Sequence, residues 1–153
     1  MMKKISRGTT FYKRIFPVFW FGFLGLFVVL GLAVMPQRPP LAFFIPPLVM
    51  LPLGYLLMRK LVFDLVDEVW DCGDHLLVRN GLVEESVPLA NIMNVSATML
   101  VNPARITLRL IRPGQFGNEI SFMPPRAIIA NPFARNALAD ELIERAYQAR
   151  SAR

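Results

Sequence analysis

The only cysteine and the only histidine of this chain stand three residues apart, in Cys72-Gly73-Asp74-His75. A thiol and an imidazole at that spacing offer two chemistries. Structural zinc takes four nitrogen or sulfur ligands. No other Cys or His completes such a set, so no metal is expected. A Cys–His nucleophilic pair needs both groups in hydrogen-bond reach and a third to orient the base. Three residues across a tight turn seldom provide that, and the plain reading is a turn cysteine followed by a strand histidine. Arg105 and Arg109 lie in an alternating segment and share one strand face. There they can meet lipid phosphates or a partner's carboxylates, against the plainer alternative of a solvated outer face. Trp70, beside the acidic turn, is either a core or membrane-edge aromatic or a contact platform for a ligand. No Gly-rich phosphate loop and no G-x-S-x-G elbow occur, and Gly22, Gly25 and Gly31 sit in an apolar run. No catalytic residue, cofactor or small-molecule substrate is therefore expected.

The elements that must position these residues begin with two apolar stretches, Ile15 to Met35 and Leu41 to Met58, joined through Gln37-Arg38-Pro39-Pro40. Neither contains Asp, Glu, Lys, Arg or His. About twenty apolar residues at 1.5 Å rise cross a hydrocarbon core of roughly 30 Å, so the sequence predicts a transmembrane helical hairpin. Gly22, Gly25 and Gly31 reduce packing radius without the four-residue spacing of close dimers. Pro46, Pro47 and Pro52 interrupt the second stretch, which a membrane helix tolerates; a kink is expected, with a hinge or partner-binding notch as the alternative. An ion or proton pathway needs ionisable groups within the spans, so transport is not expected.

The net charge of +6 is unevenly placed. Eight bases and no acids precede residue 61; nine Arg and all eleven acids follow it. The later part is thus slightly acidic, without the basic face that phosphate neutralisation requires, and nucleic acid is excluded as a partner. Lys3, Lys4, Arg7, Lys13 and Arg14 precede the first apolar stretch and Arg59-Lys60 follow the second, while Arg38 alone occupies the link. The positive-inside bias places both termini in the cytoplasm, with Lys13, Arg14, Arg59 and Lys60 at the membrane interface. Tyr12 and Tyr55 suit the headgroup zone. The rival is a cleaved signal peptide, for which the run is too long and Gly31-Leu32-Ala33 a poor site.

After Arg59-Lys60 short strand-like pieces take over. Leu61 to Trp70 starts them, with the helix free to continue for a few residues. His75 to Arg79 and Leu82 to Leu89 flank Asn80-Gly81, a type I′ hairpin signal that would set Val78 opposite Val83. Ile92 to Leu100, Arg105 to Ile111 and Glu119 to Met123 follow, with Asn102-Pro103 as a break and Pro88 marking an edge. In the segment from Arg105, residues Ile106, Leu108 and Leu110 point one way and Arg105, Thr107 and Arg109 the other. A C-terminal helix starts near Pro132, with Asn131 as its cap. It buries Leu138, Leu142, Ala146 and Ala149 and exposes Asn136, Asp140, Glu144 and Gln148. Glu141 and Arg145 form an i,i+4 pair.

This order resembles the small bacterial membrane proteins that carry a pleckstrin-homology-like domain. The resemblance rests on the run from Asp67-Glu68-Val69-Trp70 through His75-Leu76-Leu77-Val78-Arg79-Asn80-Gly81, followed by Val87-Pro88-Leu89-Ala90-Asn91-Ile92. It implies an antiparallel β-sandwich or barrel capped by the C-terminal helix. Six strands are read here where that fold has seven. Asp71 and Asp74 make the first loop acidic where lipid-binding members carry Lys and Arg, so phosphoinositide recognition is not implied. The expected organisation is a basic lead-in at 1–14, a membrane hairpin at 15–60 and a cytoplasmic domain at 61–153. The expected role is a non-catalytic, membrane-anchored interaction module, either an accessory subunit of another membrane protein or a homo-oligomeric scaffold. The alternative is a module that senses lipid or envelope stress by binding anionic lipid.

Overall fold

The computed structural model describes residues 2–34, 39–98, 100, 102–125 and 136–152. The chain is α+β, with two long apolar helices, two antiparallel sheets and a C-terminal helix. It divides into two units, Thr10–Phe63 and a second formed by Met1–Thr9 together with Asp64–Arg153.

In the helical unit, a π-helical turn at Phe11–Ile15 leads into α1 (Phe16–Val34), and α2 covers Leu41–Leu61. The two apolar helices, 24 and 21 residues long with the π turn included, have the length and composition to cross a membrane. Only 6% and 17% of their apolar windows are buried. A core helix of a globular domain would have its apolar stripe covered, so these are not core helices. They pack on each other by seating aromatic rings on glycine. Phe43 stacks on Phe27 at 5.1 Å and lies against Gly31, and the Trp20 indole lies against Gly54. A Cβ at either glycine would run into the ring, which is why glycine stands there. A Cβ at Gly22 or Gly25 would meet nothing within 4 Å beyond its own stretch of helix. α2 runs through Pro46, Pro47 and Pro52 as one helix. Gln37 and Arg38 of the expected link lie outside the described residues.

The β unit contains two sheets. The first has the order β1-β2-β3-β4, with β1 at Lys3–Lys4, β2 at Glu68–Asp71, β3 at His75–Asn80 and β4 at Val83–Pro88. The second has the order β5-β6-β7, at Ile92–Thr98, Arg105–Gly114 and Gly117–Phe122. Alternation decides the core, as strand geometry requires. Val69, Leu76, Val78 and Val87 are fully covered in the first sheet, and Ile106, Leu108, Ile120 and Phe122 in the second. The expected division of β6 into an apolar inner face and a polar outer one holds: Ile106, Leu108 and Leu110 are buried.

The hairpin register differs from the sequence expectation. Asn80 pairs with Val83 and Val78 with Glu85. The turn is thus centred on Gly81-Leu82, with positive φ at Gly81 alone (+62°), the pattern of a type II′ turn rather than type I′. The shift is two residues, so every side chain keeps its face; a shift of one would have turned Val78 outward.

The N-terminal residues also differ from expectation. The stretch from Met1 to Thr9 belongs to the β unit and is no free lead-in. β1 pairs antiparallel with β2, Lys4 opposite Trp70. Ile5 is buried and its amide donates to the Val69 carbonyl (3.0 Å), while the Val69 amide donates to Ser6 Oγ (2.7 Å). Two residues on, the Arg7 amide donates to the Met123 carbonyl at 2.8 Å, just past β7. Thr9 Oγ1 then donates to Asp67 Oδ1 at 2.5 Å. One short segment therefore ties the first sheet to the end of the second. Leu65 forms a parallel bridge to Ser121 of β7, and the Val66 amide donates to the Ser121 carbonyl at 2.8 Å.

The C-terminal helix, α3, covers Ala137–Ser151. The expected cap Asn131 and first residue Pro132 lie outside the described residues. Asn136 is the cap: its side chain accepts from the Ala139 amide at 3.0 Å, which is why it is buried and not on the polar face. Leu142, Ala139 and Ala146 enter the core, with Leu138 and Ala149 at its margin.

Candidate interaction surface

The turn between β2 and β3 holds the cysteine and the histidine. Asp71 Oδ1 accepts from the Gly73 amide (3.0 Å), Gly73 adopts φ +101°, and the Cys72 amide donates to the His75 carbonyl (3.0 Å). The His75 ring faces Asp74, with Nδ1 at 2.6 Å from Oδ1, and this contact holds the Asp74 carboxyl below its ordinary range. Among the described residues no three of His, Cys, Asp and Glu are grouped to hold a metal ion.

What holds this turn is a residue the sequence reading assigned elsewhere. Arg145 of α3 forks onto Asp71, with Nη1 to Oδ2 at 2.5 Å and Nη2 to Oδ1 at 2.8 Å, and Nη2 also donates to the Gly73 carbonyl at 2.7 Å. Its expected partner Glu141 is only a fringe contact at 3.5 Å. The available signal was position: Arg145 flanks Ala146 and follows Leu142 by three, at the border of the buried stripe. Five donors in a fixed fork suit a carboxylate plus a carbonyl. The guanidinium holds the Asp71 carboxyl below its ordinary range, and Asp71 raises Arg145 in return. Farther along, Arg150 Nη1 donates to the carbonyls of Ile92 (3.0 Å) and Met93 (3.2 Å), so α3 is fastened at two places. Met2, Lys3, Asp71, Gly73 and Arg145 line an open depression of about 420 Å³ where β1, the turn and α3 meet. With Arg145 committed to Asp71, the depression is a structural junction.

The Asp71–Arg145 pair sets an acid sensitivity. The folded-state pKa of Asp71 is depressed, so its ionised form contributes stability that is fully present above the unfolded value of about 3.9. That contribution is lost as the pH falls through the folded value. Asp71→Asn is expected to cost about 1–3 kcal/mol at neutral pH, and the deficit should narrow below about pH 4, where wild type loses the charge as well. Unfolding midpoints measured against pH test this; two parallel curves down to pH 2 would remove the pair's role.

The other singled-out residues are placed as follows. Trp70 is half-buried, with the Lys4 ammonium 5.4 Å from its ring and its Nε1 donating to Glu68 Oε2 at 3.4 Å. Lys4 also pairs with Glu68 and holds that carboxyl below its ordinary range. Trp70 thus serves the β1–β2 junction. Arg105 and Arg109 do share the outer face of β6, yet they are not equivalent. Arg105 donates to Asp64 Oδ2 at 2.9 Å and its side chain is only 14% exposed. Arg109 is 59% exposed and meets Glu119 at 3.4 Å. An exposed pair of that kind contributes little to stability, about 0–1 kcal/mol, so Arg109 exchanges partners cheaply and Arg105 does not. No protein-family model, curated protein or solved structure matches this chain.

Lys13 and Arg14 lie in the π turn before α1, and Arg59 and Lys60 in the last turn of α2. Sequence reasoning missed the exposed apolar side chains of the β unit. Ile143 and Tyr147 stand one turn apart on the outer face of α3, and Leu82 at the β3–β4 turn is completely exposed. The signal was present at Leu82, an apolar residue inside a turn sequence.

Proposed function

We propose that this chain is a membrane-anchored, non-catalytic interaction module of the bacterial inner membrane, an accessory subunit or a scaffold that assembles with itself, with both termini cytoplasmic. The observation that carries the anchoring is the pairing of β1 with β2. Residues before Thr10 and after Phe63 build one β unit, so the chain that leaves it must come back to the same side. Two crossings by α1 and α2 satisfy this; a single crossing does not. Cleavage after Gly31-Leu32-Ala33 would separate β1 from its partner strand, so the pairing also speaks against a removed signal peptide. The basic residues at the two helix ends then supply the positive-inside orientation. Among the described residues, six strands in two antiparallel sheets and then a helix follow α2, an order compatible with the outline that the pleckstrin-homology-like resemblance implies.

The interaction role draws on tethering. A domain joined to the bilayer at both Thr9 and Asp64 meets neighbouring membrane proteins at high effective concentration. The outer face around Arg109 is the docking surface, since its ion pair with Glu119 is exposed and exchangeable. Reversing Arg105 as well would set a glutamate against Asp64 and confuse docking with folding, so the test uses Arg109→Glu alone. The protein purified from native membranes in mild detergent is expected to run as a complex, and Arg109→Glu to weaken that complex without lowering the unfolding temperature. A lone monomer from native membranes, with the variant behaving as wild type, would overturn the reading.

A further inference from the structure

Among the described residues Leu82 is the most exposed large apolar side chain of the β unit, at 104%, and Val83 beside it is 44% exposed. They form the tip of the β3–β4 hairpin, which nothing in the register requires to be apolar. The tip has a defined neighbour. Asp67 accepts from the Gly81 amide at 2.8 Å through Oδ2 and from Thr9 Oγ1 at 2.5 Å through Oδ1. One carboxylate therefore bridges the hairpin tip to Thr9, where the N-terminal segment of the β unit ends, two residues before the first apolar helix. The chain re-enters the β unit at Asp64, three residues ahead of that same Asp67. Both chain exits and the apolar tip thus lie at one end of the β unit. Arg79, the strand residue just before Asn80, is paired with Glu84 at 2.5 Å.

We propose that Leu82 and Val83 form a third membrane contact, inserted among the lipids at the headgroup–acyl boundary beside the two points where the chain enters the bilayer. The occupant is the lipid surface, because the exits that flank the tip are where the chain passes into bilayer-length apolar helices. An apolar tip held among the lipids would add a non-covalent anchor to the two covalent ones. The inference rests on the membrane reading of α1 and α2.

The test separates the two. In a Cys72→Ser background, the full chain carrying Leu82→Cys, Asp74→Cys or Val29→Cys is labelled with an environment-sensitive fluorophore. It is then reconstituted into phosphatidylcholine–phosphatidylglycerol vesicles containing nitroxide lipids. Asp74 lies beyond the other end of the six-residue strand β3, roughly 17 Å or more from the tip at about 3.3 Å per residue, and is exposed (87% of its side chain). Quenching at Leu82→Cys is expected to exceed that at Asp74→Cys at least about twofold, with a blue-shifted emission. Quenching at Val29→Cys with Leu82→Cys no different from Asp74→Cys would overturn the third contact and leave the hairpin in the membrane. No quenching at Val29→Cys would overturn the membrane reading and the inference with it.

Discussion

Removing residues 2–9 is expected to unfold the β unit, although every strand from β2 onward remains in the chain. Ile5 is 2% exposed within the main core cluster, and deleting a buried Ile side chain typically costs about 2–5 kcal/mol. Ser6 Oγ is the acceptor for the Val69 amide, a buried bond. Without it that amide is left unpaired, at about 1–3 kcal/mol. The Arg7 bond to Met123 and the Thr9 bond to Asp67 go as well. The total exceeds roughly 4 kcal/mol, against a whole-domain stability of about 5–15 kcal/mol. The decisive comparison uses two soluble chains. One is residues 64–153 alone; the other carries residues 2–9 joined to Asp64 by a short Gly/Ser linker in place of the hairpin. The joined chain should melt cooperatively and protect β2 and β7 amides from exchange, and the truncated one should not. Equal melting temperatures would show the N-terminal segment to be dispensable.

The same segment shows where sequence reading stops. The apolar stretches, the inward row of Ile106, Leu108 and Leu110, and the buried stripe of α3 are local periodicities, and all were legible because period alone assigns the face. Lys3-Lys4-Ile5 has no period. Its strand exists only because β2 lies alongside, more than sixty residues later in the chain, and two lysines on a short edge look like solvated charge until the partner is known. The turn at Gly81 failed differently. Asn-Gly favours a type I′ turn locally, but Asn80 pairs with Val83 and Asp67 accepts from the Gly81 amide, which belong to the neighbouring frame. Arg105 alternates correctly and still is not a free surface cation, since Asp64 is brought to it from the start of the β unit. For the candidate site, the outer face of β6 was readable and the difference between its two arginines was not.

Leu142→Asp is expected to be the most damaging single substitution in α3, costing more than about 3 kcal/mol. Leu142 is 0% exposed, so loss of its side chain alone falls in the range of about 2–5 kcal/mol, and a carboxylate there adds an unpaired buried charge. The helix can escape that charge only by undocking. It would then release Arg145 from Asp71 and Gly73 and Arg150 from the Ile92 and Met93 carbonyls, and uncover Ala139 and Ala146 together with the side of the core they close. Neighbouring positions grade the effect. Leu138 sits at the core margin and should cost less when replaced by Asp. Ile143, the next residue along, faces outward at 37% exposure, so Ile143→Asp should stay within about 0.5 kcal/mol of wild type. Hydrogen exchange on the full chain in mild detergent reads this directly, because α3 and β5 amides should lose protection together in Leu142→Asp and keep it in Ile143→Asp. Matching exchange in the two variants would mean that α3 is not docked through Leu142. In that case the Asp71–Arg145 fork and the Arg150 bonds to the Ile92 and Met93 carbonyls would have to hold the helix without the core, which a few partly exposed polar contacts do not do.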